Sequence, residues 1–527
     1  NLSGTGTIAS KDVGSSKTVT VGTLALADGS NGGLAANYTL SGGTHQLTVN
    51  QRPLNATIQR FYDGSLNANG SDLSSFDSLQ GGETLFLSGT GTVSNKNVSS
   101  NQSVTLGTLA LSDTGATGDT ANYSLNSAEL NIVQRPISTV YLTKLYDAST
   151  TVQASDLQTM SNLVGSETLT LTGTSTISDA NVGTKTVNTG GFTLNDQAGA
   201  NASSGGLASN YILSGGTHQL IINQRPLNAT LARQYDGTTT AAGSTLSSFD
   251  ALQGGETLTL SGSGTAANDN VANGISVSSL GTLALANGTG AASNYSLNSA
   301  AINITQRVLN SSGSKTYNAN TNALAADITL SNLVSGEALN HSGTASTSSA
   351  NAASYTITNL AGITIADGSG GTASNYTLTG GTHNFVVNQK VISLSGSRLY
   401  DATTNAVASD LTTISGRVGS ETLALNGTGS VSNANVSNNK TVTLGTLALG
   451  NGTGLAANYT LSGGTHQLTV NQRPLNATLA RQYDGTTASA GSTLSSFDAL
   501  QGGETLTLSG SGTAASANVA NGITMSS

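Results

Sequence analysis

The stretch Asn223-Gln224-Arg225-Pro226-Leu227-Asn228-Ala229-Thr230-Leu231-Ala232-Arg233-Gln234-Tyr235-Asp236-Gly237 returns unchanged from Asn471 to Gly485, and returns with substitutions four more times along the 527-residue chain. Its Gln-Arg or Gln-Lys landmark falls at Gln51, Gln134, Gln224, Gln306, Gln389 and Gln472, at spacings of 83, 90, 82, 83 and 83. A fixed period outranks length as a guide to architecture. The scarce residues keep the same beat. Tyr62, Tyr146, Tyr235, Tyr317, Tyr400 and Tyr483 precede Asp or Asn, while Tyr38, Tyr123, Tyr211, Tyr295, Tyr376 and Tyr459 follow Asn, so twelve of fourteen tyrosines occupy two slots. All four prolines (Pro53, Pro136, Pro226, Pro474) fill a third slot, and six of seven glutamates (Glu83, Glu167, Glu256, Glu337, Glu421, Glu504) a fourth. Residues this rare recur together only where geometry requires them.

Both ends cut through a period: Leu2 to Thr7 match Leu87 to Thr92, and Asn521-Gly522-Ile523 match Asn273-Gly274-Ile275. The landmarks divide the chain into a partial repeat at 1–51, full repeats at 52–134, 135–224, 225–306, 307–389 and 390–472, and a partial repeat at 473–527. The chain opens without a signal peptide and reads as an excerpt of a longer protein. Solenoid coils repeat every 20–50 residues or so, whereas this period is long enough for one small domain.

Within a period, alternation predicts strands. Leu227, Ala229, Leu231 and Tyr235 share one parity and form a first strand. Leu246, Phe249 and Leu252, three residues apart and closed by Gly254-Gly255, suit one or two helical turns. Thr257 to Leu260 gives another strand. At Gly445-Thr446 the apolar parity of Val442 and Leu444 switches to that of Leu447 and Leu449, which predicts a β-bulge. Tyr459-Thr460-Leu461 and His466 to Val470 flank Ser462-Gly463-Gly464 as a hairpin. The Arg-Pro slot, extended and without a donor at proline, marks the passage from one sheet to the next. Stretches such as Gly199 to Gly206 and Ser349 to Ser354 have the low hydrophobicity of disordered segments, but the landmarks hold register through them. The fold expected is mainly β: a tandem array of small domains, β-grasp-like or small sandwiches, with one short helical turn each, forming an elongated rod.

Composition narrows the function. Charged residues are 9% and apolar residues 36% of the chain, and 65 glycines take the place of bulk, so each core must be thin. A net charge of −9 with scattered Lys and Arg offers no footprint for nucleic acid or an anionic membrane, and no apolar run reaches the roughly 18 residues of a membrane span. The absence of cysteine excludes disulfides and thiolate metal sites and suits a chain exported unfolded.

Four recurrent slots invite a chemical reading. Tyr-Asp-Gly could face a sugar or calcium, yet Asp-Gly is ordinary turn chemistry and a tyrosine anchors a strand end; Tyr317-Asn318-Ala319 lacks both carboxylate and glycine, and no calcium-loop motif occurs. His45, His218, His383 and His466 share one slot, but the segments at Leu125-Asn126-Ser127-Ala128 and Leu297-Asn298-Ser299-Ala300 are two residues shorter and lack it, and one histidine per period falls short of a zinc set. The glutamate is a single acid where glycosidases need a facing pair, and no serine has a base at recurrent spacing. Sequons such as Asn37, Asn55, Asn228, Asn375 and Asn476 follow from composition, with glycan attachment as a side reading. No catalytic, cofactor-binding or metal residue is assigned.

The Tyr-Asp-Gly slot, the Gly-Gly-Glu-Thr-Leu slot, the Asn-Tyr-Thr-Leu segment and the Gln-Arg-Pro-Leu junction together resemble the Tyr-Asp-Gly (YDG) and mostly-β, glycine-rich (MBG) repeats in the stalks of very large bacterial adhesins, among them the filamentous-haemagglutinin-like exoproteins of two-partner secretion. The resemblance covers the whole chain; repeat 307–389, with Tyr317-Asn318-Ala319 and no proline, departs most. It implies a non-enzymatic, secreted or surface-borne stalk in adhesion or biofilm matrix, without cofactor, whose partners are its own neighbouring repeats. The alternative is a module that binds exopolysaccharide or a cell-surface glycan through the recurrent tyrosines.

Overall fold

The computed structural model describes residues 2–197, 206–357 and 360–526. In the first full repeat the alternation Leu54, Ala56, Ile58 forms an opening strand, Arg52–Phe61, with those three side chains buried. The closing strand, Tyr123–Val133, buries Ala128, Leu130 and Ile132 on the same face and runs parallel to the opening strand, from Arg52↔Tyr123 to Phe61↔Val133. Antiparallel strands flank the pair, Leu73–Phe76 beside the opening strand and Ser99–Ser103 beside the closing one. The first and last strands thus lie parallel at the centre of a four-stranded sheet, as in a β-grasp fold. Two small antiparallel pairs, Asn67–Asn69 with Thr90–Thr92 and Phe86–Ser88 with Ala110–Ser112, supply the other side of the core through Ala68 and Leu87, joined by Val93 and Leu109 beside the strand ends. The core is thin, as the low apolar content predicts.

The described chain forms two compact bodies: Asn1–Ala229 with Ser248–Gly262 and Thr282–Ala300, and Thr230–Ser247 with Ser263–Gly281 and Ala301–Ser527. The first holds the repeats at 52–134 and 135–224, the second those at 307–389 and 390–472, and the third repeat contributes to both. The parallel central pair recurs in each body, for example Tyr141↔Gln219 to Leu145↔Asn223 in the first and Ser311↔His383 to Thr316↔Asn388 in the second.

Three local expectations are corrected. The segment read as helical, Leu246 to Leu252, begins with a strand, Leu246–Phe249, preceded by a 3-10 turn at Gly243–Thr245. The first repeat shows why the spacing misled: Thr57 pairs with Ser75 but Ile58 with Leu73, so Ser74 is an extra residue and the half-buried Leu73 and Phe76 share a face at a three-residue spacing. A bulge imitates a helical period.

The bulge expected at Gly445 lies elsewhere. The shift in strand Ser437–Thr441 falls between Ser437 and Lys440, with Asn439 at φ 51°. Gly445, at φ 56°, sits in a tight turn after which Ala448–Asn451 pairs with Leu423–Asn426 of the small layer; a Cβ there would meet Thr428 O at 2.5 Å. The parity switches because the chain changes sheet.

Nor is Ser462-Gly463-Gly464 the turn of a hairpin. Tyr459–Thr460 pairs parallel with Lys390–Val391 and His466–Asn471 parallel with Leu394 to Leu399, so both sides run in the same direction beside one opening strand. The glycines form a loop let into a single closing strand. Where the two residues are missing, Tyr123–Val133 is continuous apart from a shift at Asn126. Of the two stretches weighed as disordered, 199–205 lies outside the described residues, and Ala353–Thr356 is a paired strand.

Candidate functional site: the repeat junction

The chain passes from the closing strand of one repeat to the opening strand of the next through one residue, Gln134 between Val133 and Arg135. At that point the scarce residues meet. Tyr62, ending the opening strand of one repeat, donates from its hydroxyl to Glu167 Oε1 of the next (2.7 Å), and Tyr211 donates to Glu167 Oε2 (2.5 Å). The Tyr211 hydroxyl also accepts from Val164 N (2.9 Å). The two rings pack edge to face, centroids 5.5 Å apart at 78°, a favoured geometry for aromatic quadrupoles. Each tyrosine is at most 2% exposed.

The same triad is built three more times: Tyr146, Glu256 and Tyr295 in the first body, and Tyr235, Glu337, Tyr376 and Tyr317, Glu421, Tyr459 in the second. Their rings pack edge to face at 5.2, 5.4 and 5.3 Å. Burial, followed by the hydrogen bond to glutamate, pushes the Tyr146, Tyr295, Tyr376 and Tyr317 hydroxyls up to about 12. The same causes raise Tyr62, Tyr211 and Tyr235 further.

The asparagine before the second tyrosine makes a separate clasp. Asn210, 1% exposed, accepts at Oδ1 from Val98 N of the preceding repeat (2.9 Å) and donates from Nδ2 to Asn97 Oδ1 (3.0 Å). Asn294, Asn375 and Asn458 repeat this with Val182, Val271 and Ala352. The sequon at Asn375 is therefore a buried clasp, and Asn55 and Asn228 spend their amide nitrogens on Asp77 and Asp250. Landmark Gln and Arg side chains finish the junction. Gln134 Nε2 donates to Ser209 O and Tyr211 O, and Arg135 Nη1 to Tyr62 O (3.3 Å).

The Tyr-Asp-Gly aspartate, partly exposed, bonds within its own repeat. Asp63 Oδ1 accepts from Ser65 N (2.9 Å) and from Arg60, whose side chain is 6% exposed and also donates to Ser65 O and Asn67 O. Lys144 does the same with Asp147, Ser149 O and Thr151 O. In the divergent loop Lys315 is held by Asn320 and the Asn322 carbonyl, without a carboxylate, and burial pushes its ammonium below the ordinary lysine value. The cation this loop holds is the chain's own side chain.

Sequence reasoning missed two of these roles, although both were legible. A basic residue stands two positions before every recurrent tyrosine of the Tyr-Asp-Gly slot: Arg60, Lys144, Arg233, Lys315, Arg398 and Arg481. Asn97-Val98, Asn181-Val182, Asn270-Val271 and Asn351-Ala352 likewise recur in what reads as featureless loop. The histidines of the shared slot are loop clips. His218 Nε2 bonds Leu213 O (2.7 Å) and His383 Nε2 bonds Leu378 O (2.8 Å), which pins the ends of the inserted loop and explains why repeats without the insertion have no histidine. Among the described residues no three His, Asp or Glu side chains converge as metal ligands, and no helix is long and apolar enough to cross a membrane.

Comparison with known families gives a match to the YDG domain in five tandem copies, at residues 44–130, 134–218, 223–304, 301–383 and 386–467. No curated protein matches the chain.

Proposed function

We propose, from the premise that the chain belongs to the YDG domain family, that it is the repetitive stalk of a bacterial cell-surface or secreted adhesin, a spacer that extends and presents an adhesive region carried elsewhere on its parent. The observation that carries this reading is the destination of the recurrent polar and aromatic residues. Tyr, Glu, Asn, Gln and Arg that would serve as a ligand platform if exposed are consumed in fixing one repeat to the next. A direct strand-to-strand passage with buried clasps suits a stiff array. It also speaks against the glycan-binding alternative, since the eight recurrent tyrosines of the four triads are buried and offer no ring face for stacking. The reading assigns the chain no reaction and no cofactor, and places it outside the cell, where a cysteine-free sequence is at no disadvantage for export in an unfolded state.

Small-angle scattering tests it. A globule of one repeat has a radius of gyration of about 12 Å, so each repeat should add roughly 30–40 Å and the chain should span roughly 200 Å. A compact particle, or retention of the chain on immobilised exopolysaccharide, would overturn the spacer reading.

A further inference from the structure

In the repeats at 52–134, 135–224, 307–389 and 390–472 the strands through which the chain enters and leaves are direct hydrogen-bonded neighbours, and they are parallel. In the first repeat the ladder runs from Arg52↔Tyr123 to Phe61↔Val133, and in the second from Arg135↔Tyr211 to Leu145↔Asn223. In the second body it runs from Arg307↔Tyr376 to Thr316↔Asn388 and from Lys390↔Tyr459 to Leu399↔Asn471. Because the pair is parallel, the chain enters at one end of the ladder and leaves at the other. A ten-residue strand is about 33 Å long, so entry and exit are separated by that length along the bonded seam.

This arrangement decides how a repeat responds to tension. Pulling entry and exit apart slides one strand along the other and loads all rungs of the ladder together. Were the terminal strands antiparallel neighbours, both ends would leave from the same side and the ladder would peel one rung at a time. The seam is also protected. It lies at the centre of its sheet with an antiparallel strand on each side, and the buried Leu54, Ala56, Ile58, Ala128, Leu130 and Ile132 cover one face. At the exit end Tyr62 N donates to Val133 O (2.9 Å), and Arg135 of the next repeat donates to Tyr62 O.

We propose that each repeat is a shear clamp, and that the chain's function includes carrying tensile load between the points it separates. This rests on the spacer reading, but the two can fail independently. An extended scattering profile with direction-independent unfolding forces would sink the clamp alone, and a compact profile with direction-dependent forces would sink the spacer alone.

The test is single-molecule force spectroscopy on the full chain. Pulled from its termini, it should give successive unfolding events that each release about 83 residues, roughly 280 Å of contour length. The comparison is a Val391→Cys, Leu455→Cys variant in an otherwise cysteine-free chain. Both positions are exposed, and Val391 pairs with Thr460 near the start of the closing strand, so handles there grip the entry ends of both strands and peel the seam. The rupture force along this direction should be several-fold lower than end to end at equal loading rate. The same variant pulled by its termini must reproduce the parent trace, which certifies its fold. If it does not, Val391→Cys with Ala457→Cys, both exposed, grips the same two strand ends. Equal forces in the two directions, or end-to-end extension without discrete events, would overturn the proposal.

Discussion

A carboxylate that accepts from two buried hydroxyls has no substitute of equal capacity. Glu167→Ala would leave the Tyr62 and Tyr211 hydroxyls without an acceptor, at about 1–3 kcal/mol for each buried group left unpaired. Glu167→Gln keeps the shape but offers one acceptor oxygen, so its loss should be about half as large. Chemical denaturation should show both deficits confined to the repeats that share this junction. The tyrosines add a pH dependence whose sign follows from their raised values. With Tyr146, Tyr295, Tyr317 and Tyr376 at about 12 in the folded chain against the ordinary tyrosine value of 10 in the unfolded chain, the unfolded chain ionises first. Their contribution is complete below pH 10 and is lost as pH rises from 10 to about 12. Melting temperature should fall across that window, with tyrosinate absorbance appearing only as the repeats unfold.

The Tyr-Asp-Gly loop is the element at which local conformation and sequence disagree. Its third position takes positive φ in every copy where it is glycine, such as Gly64 at 74° and Gly237 at 73°, but also at Ala148, Ala319 and Ala402, near 60°. An L-residue in this region costs about 1–2 kcal/mol. Ala402→Gly should therefore stabilise its repeat by about 1 kcal/mol, after the entropy that glycine loses on folding is set against the relief, and thermal melting will register the gain. The loop keeps its shape with alanine because Arg398 still bonds Asp401 and the Thr403 carbonyl. Lys315 keeps it even without the aspartate. A basic side chain surrounded by carbonyls thus replaces what glycine and aspartate would contribute.

At the scale of the molecule, hydrogen-bonded clasps link each repeat to the next, so stability should behave as a sum of repeat and junction terms. Excising Arg307 to Gln389 joins Gln306 to Lys390 in phase and brings Tyr235 opposite Glu421 and Tyr459, the same residue types it meets in Glu337 and Tyr376. The shortened chain should melt at the parent's midpoint. Removing only 307–348, half of that repeat, should instead lose a closing strand its partner and lower the stability of both neighbours. Equal melting of the two deletions would mean that the period is not the folding unit.

How far the sequence could be read depends on the range of the interaction involved. The period, the strand-rich class and the opening strand follow from spacing and from the alternation Leu54, Ala56, Ile58, because both express contacts a few residues apart or a rule applied identically in each copy. The slots of Tyr, Glu and Asn were visible as slots, and the parity that Tyr235 shares with Leu227, Ala229 and Leu231 pointed to its burial. What they do was not. Tyr62 meets a glutamate 105 residues away and Asn210 a backbone amide 112 residues away, and no local pattern encodes which of several equidistant copies a side chain will reach. The helical reading of Leu246 to Leu252 and the hairpin at Gly463-Gly464 failed for the same reason: one residue of bulge or two of insertion alters the face a side chain presents, and only the partner strand decides whether the chain turns back or runs on. By itself the sequence determined a tandem β architecture and the positions that matter in it. The tertiary structure decided that these positions form junctions and that the terminal strands lie parallel, because pairing direction and cross-repeat hydrogen bonds are settled by which surfaces can be buried together.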